Sequence, residues 1–374
     1  MYLLQVEASP RASRRTLKTL ALVSTTALFA ASAHAQSSVT MYGILDAGVT
    51  YFSNVGGHSN FSQTNGVDFP SLVGFTGTED LGGGNHAIFK LETAIKLNNG
   101  AAVTPGLAFG NQASVGIAND TYGTVQLGRI RQFTVEMAPY VAAHGGIFGF
   151  HPGNYDQVVQ SYFNNAGSYE SPDLRGLRFG AMYSFGSSTA PATNTGRAYS
   201  FRLAYQNGPF QTQALMSNIN GITINPAAIG LPEAFGRPAG ATIATGIALD
   251  NLTTASFDAS YRVGPVQFIG LYANTQMRAF ETTERLQTGE AQAVYNISPA
   301  LMVGGGYQYS VGMGGRWHVY NASAHYSLSK RTLVYLDGEY QHVTGAGQKA
   351  ALLFSGPASG NNQAAVTIGM RHSF

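Results

Sequence analysis

Charged side chains are the residues of this sequence that point to a chemical function, because no motif supports covalent catalysis or metal binding. Serine and histidine are both present, but no third group pairs with them as a nucleophile–base set requires. The histidines lack metal-ligand spacing such as H-x₃-H, and neither Gly82–Gly84 nor Gly304–Gly306 leads into a phosphate-binding GxxxxGK[ST] motif. The sequence therefore predicts no enzyme, cofactor or metal site, and leaves electrostatic selection as the available chemistry.

Six basic residues are candidates for lining a pore, and they fall into two groups. Four of them lie on the polar face of segments in which polar and apolar residues alternate: Lys90, Arg178, Arg202 and Arg262. Arg129 and Arg131 lie where such a segment runs into the long loop Phe133–Asn164, so alternation does not fix their direction. Glu136 and Asp156 are the only carboxylates of that loop.

Alternation with a period of two predicts the elements that carry these charges. From Val39 to Phe52 one face begins Val39, Met41, while the other includes Asp46 and Thr50. From His86 to Leu97 the apolar residues again alternate with Lys90 and other polar residues. Successive side chains of a strand point to opposite faces, so the pattern indicates strands with one apolar and one polar face.

Residues 1–35 are predicted to be a cleaved signal peptide. Arg11, Arg14, Arg15 and Lys18 precede an uncharged, mostly apolar stretch, and Ala33-His34-Ala35 is a small-residue cleavage site. The leader holds four of the 21 Lys+Arg and one of the 19 Asp+Glu, which leaves 17 basic and 18 acidic residues in the mature chain, 36–374. This balance gives no support to nucleic-acid binding.

Composition also argues against an ordinary soluble domain. Charged residues make up 11% of the chain, against roughly 25% in soluble domains. There are 46 glycines and no cysteine, although the leader directs the chain to an oxidising compartment. A barrel closed by inter-strand hydrogen bonds does not need disulfides.

Three features predict a membrane barrel. The alternating segments are about ten residues long, which suits a tilted strand that crosses a bilayer. Aromatic residues gather near segment ends, as at Tyr183/Phe185 and Tyr335/Tyr340. Short turns alternate with longer connections, as in bacterial outer-membrane barrels. The longer connections are predicted at Asn54–Asp68, Asn98–Phe109, Phe133–Asn164, Ser187–Arg197, Asn218–Asp250 and Thr344–Asn361. The prediction is an all-β fold: a closed antiparallel transmembrane β-barrel of about sixteen strands.

Several segments together resemble the beta-proteobacterial branch of the Gram-negative general porins. They are the opening 38–46 (SVTMYGILD), the hairpin 77–84 (GTEDLGGG), 122–129 (YGTVQLGR), 326–332 (YSLSKRT) and the closing 369–374 (GMRHSF). The resemblance implies sixteen strands, a homotrimer in the outer membrane with its lipid and lipopolysaccharide, and a third outer loop folded into the lumen. It also implies that the terminal Phe374 addresses the chain to the barrel-assembly machinery.

In that arrangement the loop 133–164, with Glu136 and Asp156, narrows the pore opposite the wall residues Lys90, Arg178, Arg202 and Arg262. Arg129 and Arg131 are expected to face the lumen or lie at its rim, because a charge facing lipid costs roughly 2–4 kcal/mol near the midplane. The family commonly has arginine at the places of Leu72 and Asn111 and a basic residue near Ser168. Their loss predicts mild ion selectivity, with less preference for anions than in relatives that keep them.

The favoured function is therefore a passive channel for ions and small hydrophilic solutes. A substrate-selective channel, for sugars or organic acids, is the alternative, and a saturable, solute-specific block of conductance would favour it. A non-channel surface barrel and a soluble secreted β-protein are weaker hypotheses. A monomer without bilayer conductance would favour the former, and solubility without detergent the latter.

Overall fold

The computed structural model describes residues 38–142, 145–157, 161–186, 194–239 and 246–374. The predicted signal peptide, 1–35, lies outside these residues. Among the described residues no helix is long and apolar enough to cross a membrane. The strands of the first half are β1 (Ser38–Val55), β2 (His58–Asn65), β3 (Leu72–Gly82), β4 (Asn85–Ala94), β5 (Gln112–Asn119), β6 (Gly123–Arg131), β7 (Tyr162–Glu170), β8 (Leu177–Phe185), β9 (Arg197–Asn207) and β10 (Phe210–Asn220).

The second half begins with short pieces in an outer loop and continues with long strands. The short pieces are β11 (Thr223–Ile224), β12 (Glu233–Ala234), β13 (Arg237–Pro238) and β14 (Ile247–Ala248). The long strands are β15 (Asn251–Val263), β16 (Val266–Ala279), β17 (Thr282–Asn296), β18 (Leu301–Gly312), β19 (Gly315–Ser327), β20 (Thr332–Thr344) and β21 (Asn362–Ser373). Short 3-10 helices span Phe133–Tyr140, Ile147–Gly149, Pro152–Asn154 and Pro226–Ile229.

The long strands form one antiparallel sheet that closes on itself. From β3 to β10 and from β15 to β21 each strand pairs with the next strand in the chain, and β10 pairs with β15. The sheet closes where β1 pairs with β21, from Ile44↔Ser373 to Phe52↔Ala365. On its other side β1 pairs with β3 through its first half and with β2 through its second half. Because β2 and β3 share one place in the wall, the 17-stranded sheet is a sixteen-strand barrel, which confirms the predicted fold class.

One predicted connection was wrong. Asn54–Asp68 is not an open loop, because β2 occupies most of it and pairs with β1 as a hairpin. The rings of Tyr51 and Phe61 lie 4.9 Å apart across this pair. The residues of β2 are mostly polar, so the hydrophobic alternation that revealed the other strands is absent from it.

The apolar face of the strands points outward and the polar face inward. On β1, Val39 and Val49 are 67% and 56% exposed, whereas Asp46 and Thr50 are buried. The same alternation runs through β15 to β21, where Phe257, Phe268 and Ile368 are exposed. Lipid can cover these outward side chains, and the barrel satisfies the backbone polar groups through its own inter-strand bonds.

The two ends of the barrel differ. One end has short turns, such as Asn207–Phe210 and Val263–Val266, and both ends of the described chain lie there. At the other end the described part of the connection between β10 and β15 contributes Ile224 and Ile247 to an apolar cluster that includes Trp317. Leu352 belongs to a second cluster, with Phe52 and Phe148. Short inner turns and longer outer loops are the pattern of bacterial outer-membrane barrels.

The hairpin of β6 and β7 leaves the wall at two irregular positions. The register between these strands shifts between Gly128 and Ile130, and Asn165 on β7 has a positive φ of 48°. Gly128 has φ 134°, a conformation that side chains rarely adopt. Beyond this bulge the chain enters the loop 132–161, named here the inner loop, whose described residues, 132–142, 145–157 and 161, cross the lumen.

We expect Gly128→Ala to misplace the inner loop, because a Cβ on Gly128 would collide with the carbonyl oxygen of Ala113 on the neighbouring strand. A strained position of this kind costs about 1–3 kcal/mol. Single-channel conductance should rise or become heterogeneous, and unfolding should require less denaturant. Gly289→Ala is the matched control, since a Cβ there meets nothing within 4 Å. Identical behaviour of the two variants would contradict the role of the bulge.

Candidate pore constriction

The inner loop is fastened to the wall on one side of the lumen. At its start, the Ser217 hydroxyl of β10 donates to Gln132 Oε1 at 2.8 Å, and the Gln213 amide donates to the Glu136 carbonyl at 2.8 Å. Further along, the backbone N–H of Ala142 donates to Glu290 Oε1 of β17 at 2.7 Å. The loop therefore lies against the strands from β10 onward and leaves the opposite side of the lumen open.

His151 is the central anchor of this loop. Its ring is fully buried, with Nδ1 against the carboxylate of Asp156 in the loop and Nε2 3.0 Å from Glu290 Oε2 on the wall. Burial lowers the pKa of His151, but the two carboxylates outweigh this effect and raise the pKa to about 10. The histidine is consequently protonated at neutral pH and carries the charge that pairs both acids.

The tip of the inner loop reaches the strands that close the barrel. The Ile147 N–H donates to the carbonyl of Val67 at 2.8 Å. The ring of Phe148 packs edge-on against Phe52 of β1, with centroids 5.1 Å apart. These contacts hold the loop at both sides, so the loop is a fixed part of the lumen wall.

The open side of the lumen begins with a group on β1, β4 and the chain before β5. Lys90 Nζ lies 3.3 Å from Glu92 Oε2, and the Tyr42 hydroxyl donates to the same carboxylate oxygen at 2.7 Å. The Asn111 amide donates to Glu92 Oε1 at 3.3 Å. Glu92 is thus almost fully paired, whereas the ammonium of Lys90 remains partly exposed.

Arg129 and Arg131 approach this group from the bulged hairpin. Arg129 Nε donates to the Gly110 carbonyl at 2.8 Å, and its guanidinium lies 5.3 Å from the Tyr162 ring centroid. Arg131 lies 3.9 Å from Glu136 on the inner loop. The Tyr162 hydroxyl is within electrostatic range of Glu92, Arg131 and Arg129, so the structure brings these charges together.

The remaining candidates lie elsewhere. Arg202 occupies an inward position on β9 and interacts electrostatically with Tyr140 and Glu170. Arg178 and Arg262 lie at the inner end of the barrel, where Arg178 pairs with Asp173 at 3.1 Å and Arg262 donates to Gln267 at 2.7 Å.

Asp156 is 3% exposed, so its carboxylate anchors the inner loop and does not face the open lumen. Several functional residues were not selected from the sequence: Tyr42, Glu92, Tyr162, His151 and Glu290. Glu92 and Tyr42 carried a signal, since both alternate with outward apolar residues. His151 and Glu290 are 139 residues apart in the sequence, and no local pattern connects them.

A closed barrel with an apolar exterior, a polar lumen and a loop that narrows this lumen is a transmembrane diffusion channel. Residues 19–346 match the Gram-negative porin family. Over 96% of its length the chain is 28% identical to an outer membrane porin protein of Bordetella pertussis, which is covered completely.

Solved structures give the same result. An anion-selective porin from Comamonas acidovorans superposes with a TM-score of 0.75 and 25% identity, over 90% of this chain and 100% of that chain. OmpT of Vibrio cholerae, solved in a trimer form, shares the fold with a TM-score of 0.65 and 14% identity, over 90% and 99%. The chain belongs to the Gram-negative porin family. It is a channel of the outer membrane for ions and small hydrophilic solutes, with some ion selectivity.

We expect His151→Gln to destabilise the porin, because it leaves Asp156 and Glu290 without their buried counter-charge. Removal of one partner of a buried ion pair costs about 3–5 kcal/mol. The pKa of His151 in the folded state lies above its ordinary value of 6.5, so the stabilisation is complete below about pH 6.5 and is lost as pH rises through about 10. The gap between wild type and variant should therefore shrink above pH 10.

Denaturant unfolding followed by tryptophan fluorescence measures this gap, since the chain has a single tryptophan, Trp317, which is 1% exposed. His318→Gln is the control, because His318 lies on an outward face of β19 away from the inner loop. An equal loss in both variants, or a gap independent of pH, would contradict the role of His151.

Proposed function

We propose that the narrow zone of this pore is the space between the inner loop and the group formed by Lys90, Arg129 and Arg131. What supports this is the ion pair between Arg131 and Glu136, which links the inner loop to the bulged hairpin across from Lys90. Solutes pass this zone by diffusion, and the chain has no enzymatic activity of its own.

The charges of this zone favour anions weakly. Lys90, Arg129 and Arg131 are opposed by two carboxylates, those of Glu92 and Glu136, which leaves a formal net charge of +1. Arg178 does not add to this balance, because Asp173 pairs with it at the inner end. Fixed charges in a lumen with low-dielectric walls concentrate counter-ions, so a small excess gives mild selectivity.

The residues at 72, 111 and 168 support a mild preference. Leu72, Asn111 and Ser168 are buried on the lumen side of the wall and none carries a charge. Asn111 serves instead as a hydrogen-bond donor to Glu92. The similar porin from Comamonas acidovorans is described as anion-selective, and we propose the same sign with a smaller magnitude for this chain.

The assembled form is proposed to be a homotrimer, surrounded by outer-membrane lipid and lipopolysaccharide. Each chain is proposed to be exported first, with cleavage after residue 35. The trimer form of OmpT supports the oligomer. Phe374 is proposed as the address read by the barrel-assembly machinery. Its support is the position of Phe374 at the closing seam, where its backbone pairs with Gly43 at 3.0 and 3.1 Å.

Arg131→Gln should lower the anion preference, because it removes a partly exposed positive charge from the narrow zone. One charge about 5 Å from a passing ion changes its free energy in water by about 0.8 kcal/mol, so the permeability ratio should change by up to about fourfold. Glu136→Gln should move the ratio in the opposite direction. Reversal potentials across a planar bilayer in a salt gradient measure both effects.

Arg262→Gln is the matched control, since its guanidinium lies at the inner rim and should leave the ratio nearly unchanged. An equal effect of Arg262→Gln and Arg131→Gln would place the selective zone at the inner mouth. A saturable block by one solute would instead favour the substrate-selective alternative.

A further inference from the structure

Two histidines lie directly opposite each other on the outward face of the barrel. His318 of β19 pairs with His342 of β20, and their ring centroids lie 6.1 Å apart. Directly paired residues of antiparallel strands have Cβ atoms about 4.5–5.5 Å apart, so these side chains share one small patch of the wall. The two residues are 24 positions apart in the chain, so the short ligand spacings of a sequence motif do not reveal them. We name His318 and His342 the histidine pair.

Each ring of the histidine pair is held through its Nδ1 atom. The Tyr307 hydroxyl of β18 lies 2.7 Å from His318 Nδ1, and Asn362 Oδ1 of β21 lies 2.7 Å from His342 Nδ1. These partners are on the two strands that flank the pair, one on each far side. Within the part of the chain that the structure describes, neither Nε2 atom has a hydrogen-bond partner. The Nε2 atoms are therefore available for a shared ligand.

The partner of His342 determines which nitrogen of that ring carries the proton. The Asn362 amide nitrogen donates to Asn361 Oδ1 at 2.9 Å, so the amide oxygen of Asn362 is the atom that faces His342. This oxygen also accepts from the Tyr340 hydroxyl at 2.7 Å. Because an amide oxygen only accepts, His342 Nδ1 donates, and the neutral ring keeps a lone pair on Nε2. A carbonyl partner on the other ring nitrogen is typical of histidines that bind metal ions.

The geometry of the histidine pair fits one ion between the rings. The Tyr307 oxygen can accept from His318 Nδ1–H, which leaves a lone pair on Nε2 of this ring as well. Two imidazoles that bind one ion through Nε2, each about 2.0–2.1 Å from it, have ring centroids about 5–6 Å apart. The observed 6.1 Å lies at the upper end of this span, and rotation about the broad χ2 torsion of histidine closes the difference.

The level of the histidine pair gives it access to water. Tyr307, Tyr320 and Tyr340 form an exposed aromatic row on β18, β19 and β20, and such rows mark the membrane interface. His318 and His342 are each two residues nearer the loop end than this row, about 7 Å further along the strand. An ion bound there does not have to enter hydrocarbon.

The donor atoms determine the class of ion. Imidazole nitrogen suits Zn²⁺, Cu²⁺ and Ni²⁺, whereas Ca²⁺ and Mg²⁺ take oxygen ligands. No strand from β18 to β21 has an aspartate or glutamate at an outward position, since Asp337 and Glu339 are inward and buried. Water completes the coordination, and Cu²⁺ is expected to bind most tightly of the three ions.

We propose that the histidine pair is a binding site for one divalent transition-metal ion per chain, held by Nε2 of His318 and Nε2 of His342. Tyr307 and Asn362 are the positioning residues, because they hold the rings through Nδ1. The ion links β19 to β20 on the outside of the barrel. The site is separate from conduction, since both rings point away from the lumen.

The test titrates CuCl₂ into purified, metal-free, full-length porin without a polyhistidine tag, in detergent, and follows the heat of binding. Wild type should bind one Cu²⁺ per chain with saturation, and His318→Gln/His342→Gln should lose this binding. Asn362→Leu should weaken it about 10–100-fold, as loss of the hydrogen-bond partner of a metal ligand does. Asn362→Asp keeps an acceptor oxygen and should bind at least as tightly as wild type.

Electron paramagnetic resonance of the bound Cu²⁺ separates ligation from an effect on the fold. The spectrum of wild type should show two imidazole nitrogens, and each single variant, His318→Gln or His342→Gln, should show one. One nitrogen in wild type, or two in either single variant, would refute a shared ion.

The matched control is His58→Gln/His86→Gln, which removes two histidines of β2 and β4 that do not pair with each other. Its affinity for Cu²⁺ should stay within about twofold of wild type, as expected of changes distant from the site. An equal loss in this control, or no loss in the histidine-pair variant, would overturn the proposal.

Two further variants test the sign of the charge and the location of the site. Arg316 lies two residues from His318 on the same face, so its charge opposes a cation, and Arg316→Gln should tighten Cu²⁺ binding about threefold. Weaker binding in Arg316→Gln would contradict a cation site. Conductance of His318→Gln/His342→Gln should equal that of wild type, and an altered conductance would contradict the outward location.

Discussion

Closure of the sheet is the constraint on which the rest of this structure depends. A backbone N–H or C=O that faces hydrocarbon without a partner costs several kcal/mol, so a β-sheet in a bilayer must have no free edge. Here the edge disappears where β1 pairs with β21 over nine residue pairs from Ile44 to Phe52. The last residue takes part directly, since Phe374 exchanges backbone hydrogen bonds with Gly43 and its ring lies where a Cβ of Gly43 would be.

A closed wall fixes the inward positions, and this makes the inner loop possible. A loop inside a lumen has no regular ladder of inter-strand hydrogen bonds, so its buried backbone polar groups need individual partners. The wall provides the partners one by one: Ser217 and Gln213 near its start, Glu290 in the middle and Gln308 beyond it. Because all of these lie on β10 to β18, the loop covers that side. The charge of the lumen is therefore distributed unevenly: buried carboxylates lie behind the inner loop, and partly exposed basic side chains lie across from it.

The sequence predicted the features that repeat and missed those that join distant residues. Alternation fixes which face of a strand is apolar, so residue types alone were enough to predict β1, β4 and β21 and the inward direction of Lys90. The same rule could not find β2, whose residues are mostly polar and whose strand conformation comes from pairing with β1. It also could not find the role of Asp156. That carboxylate is held by His151, which depends in turn on Glu290 from a strand more than a hundred residues away.

The bulge at Gly128 shows why the charged site in particular escaped prediction. In a regular strand, Arg129 would share the face of Leu127, which is 58% exposed on the apolar exterior. The pairing of β6 with β7 is irregular between Gly128 and Ile130, although Arg129 still pairs with Ala113 of β5. Beyond this irregularity Arg129 and Arg131 approach Tyr162 and Glu136. The direction of these two arginines is therefore not set by simple alternation, because they lie where the chain leaves the wall. Arg278, Arg285 and Arg316 lie on strands without such a shift between them and their neighbours, so their outward direction follows from alternation alone. Whether an arginine of this barrel points to the lumen or to the outside thus depends on the local backbone register of its strand. The same residue type can therefore lie on the water-facing or on the lipid-facing side of one wall.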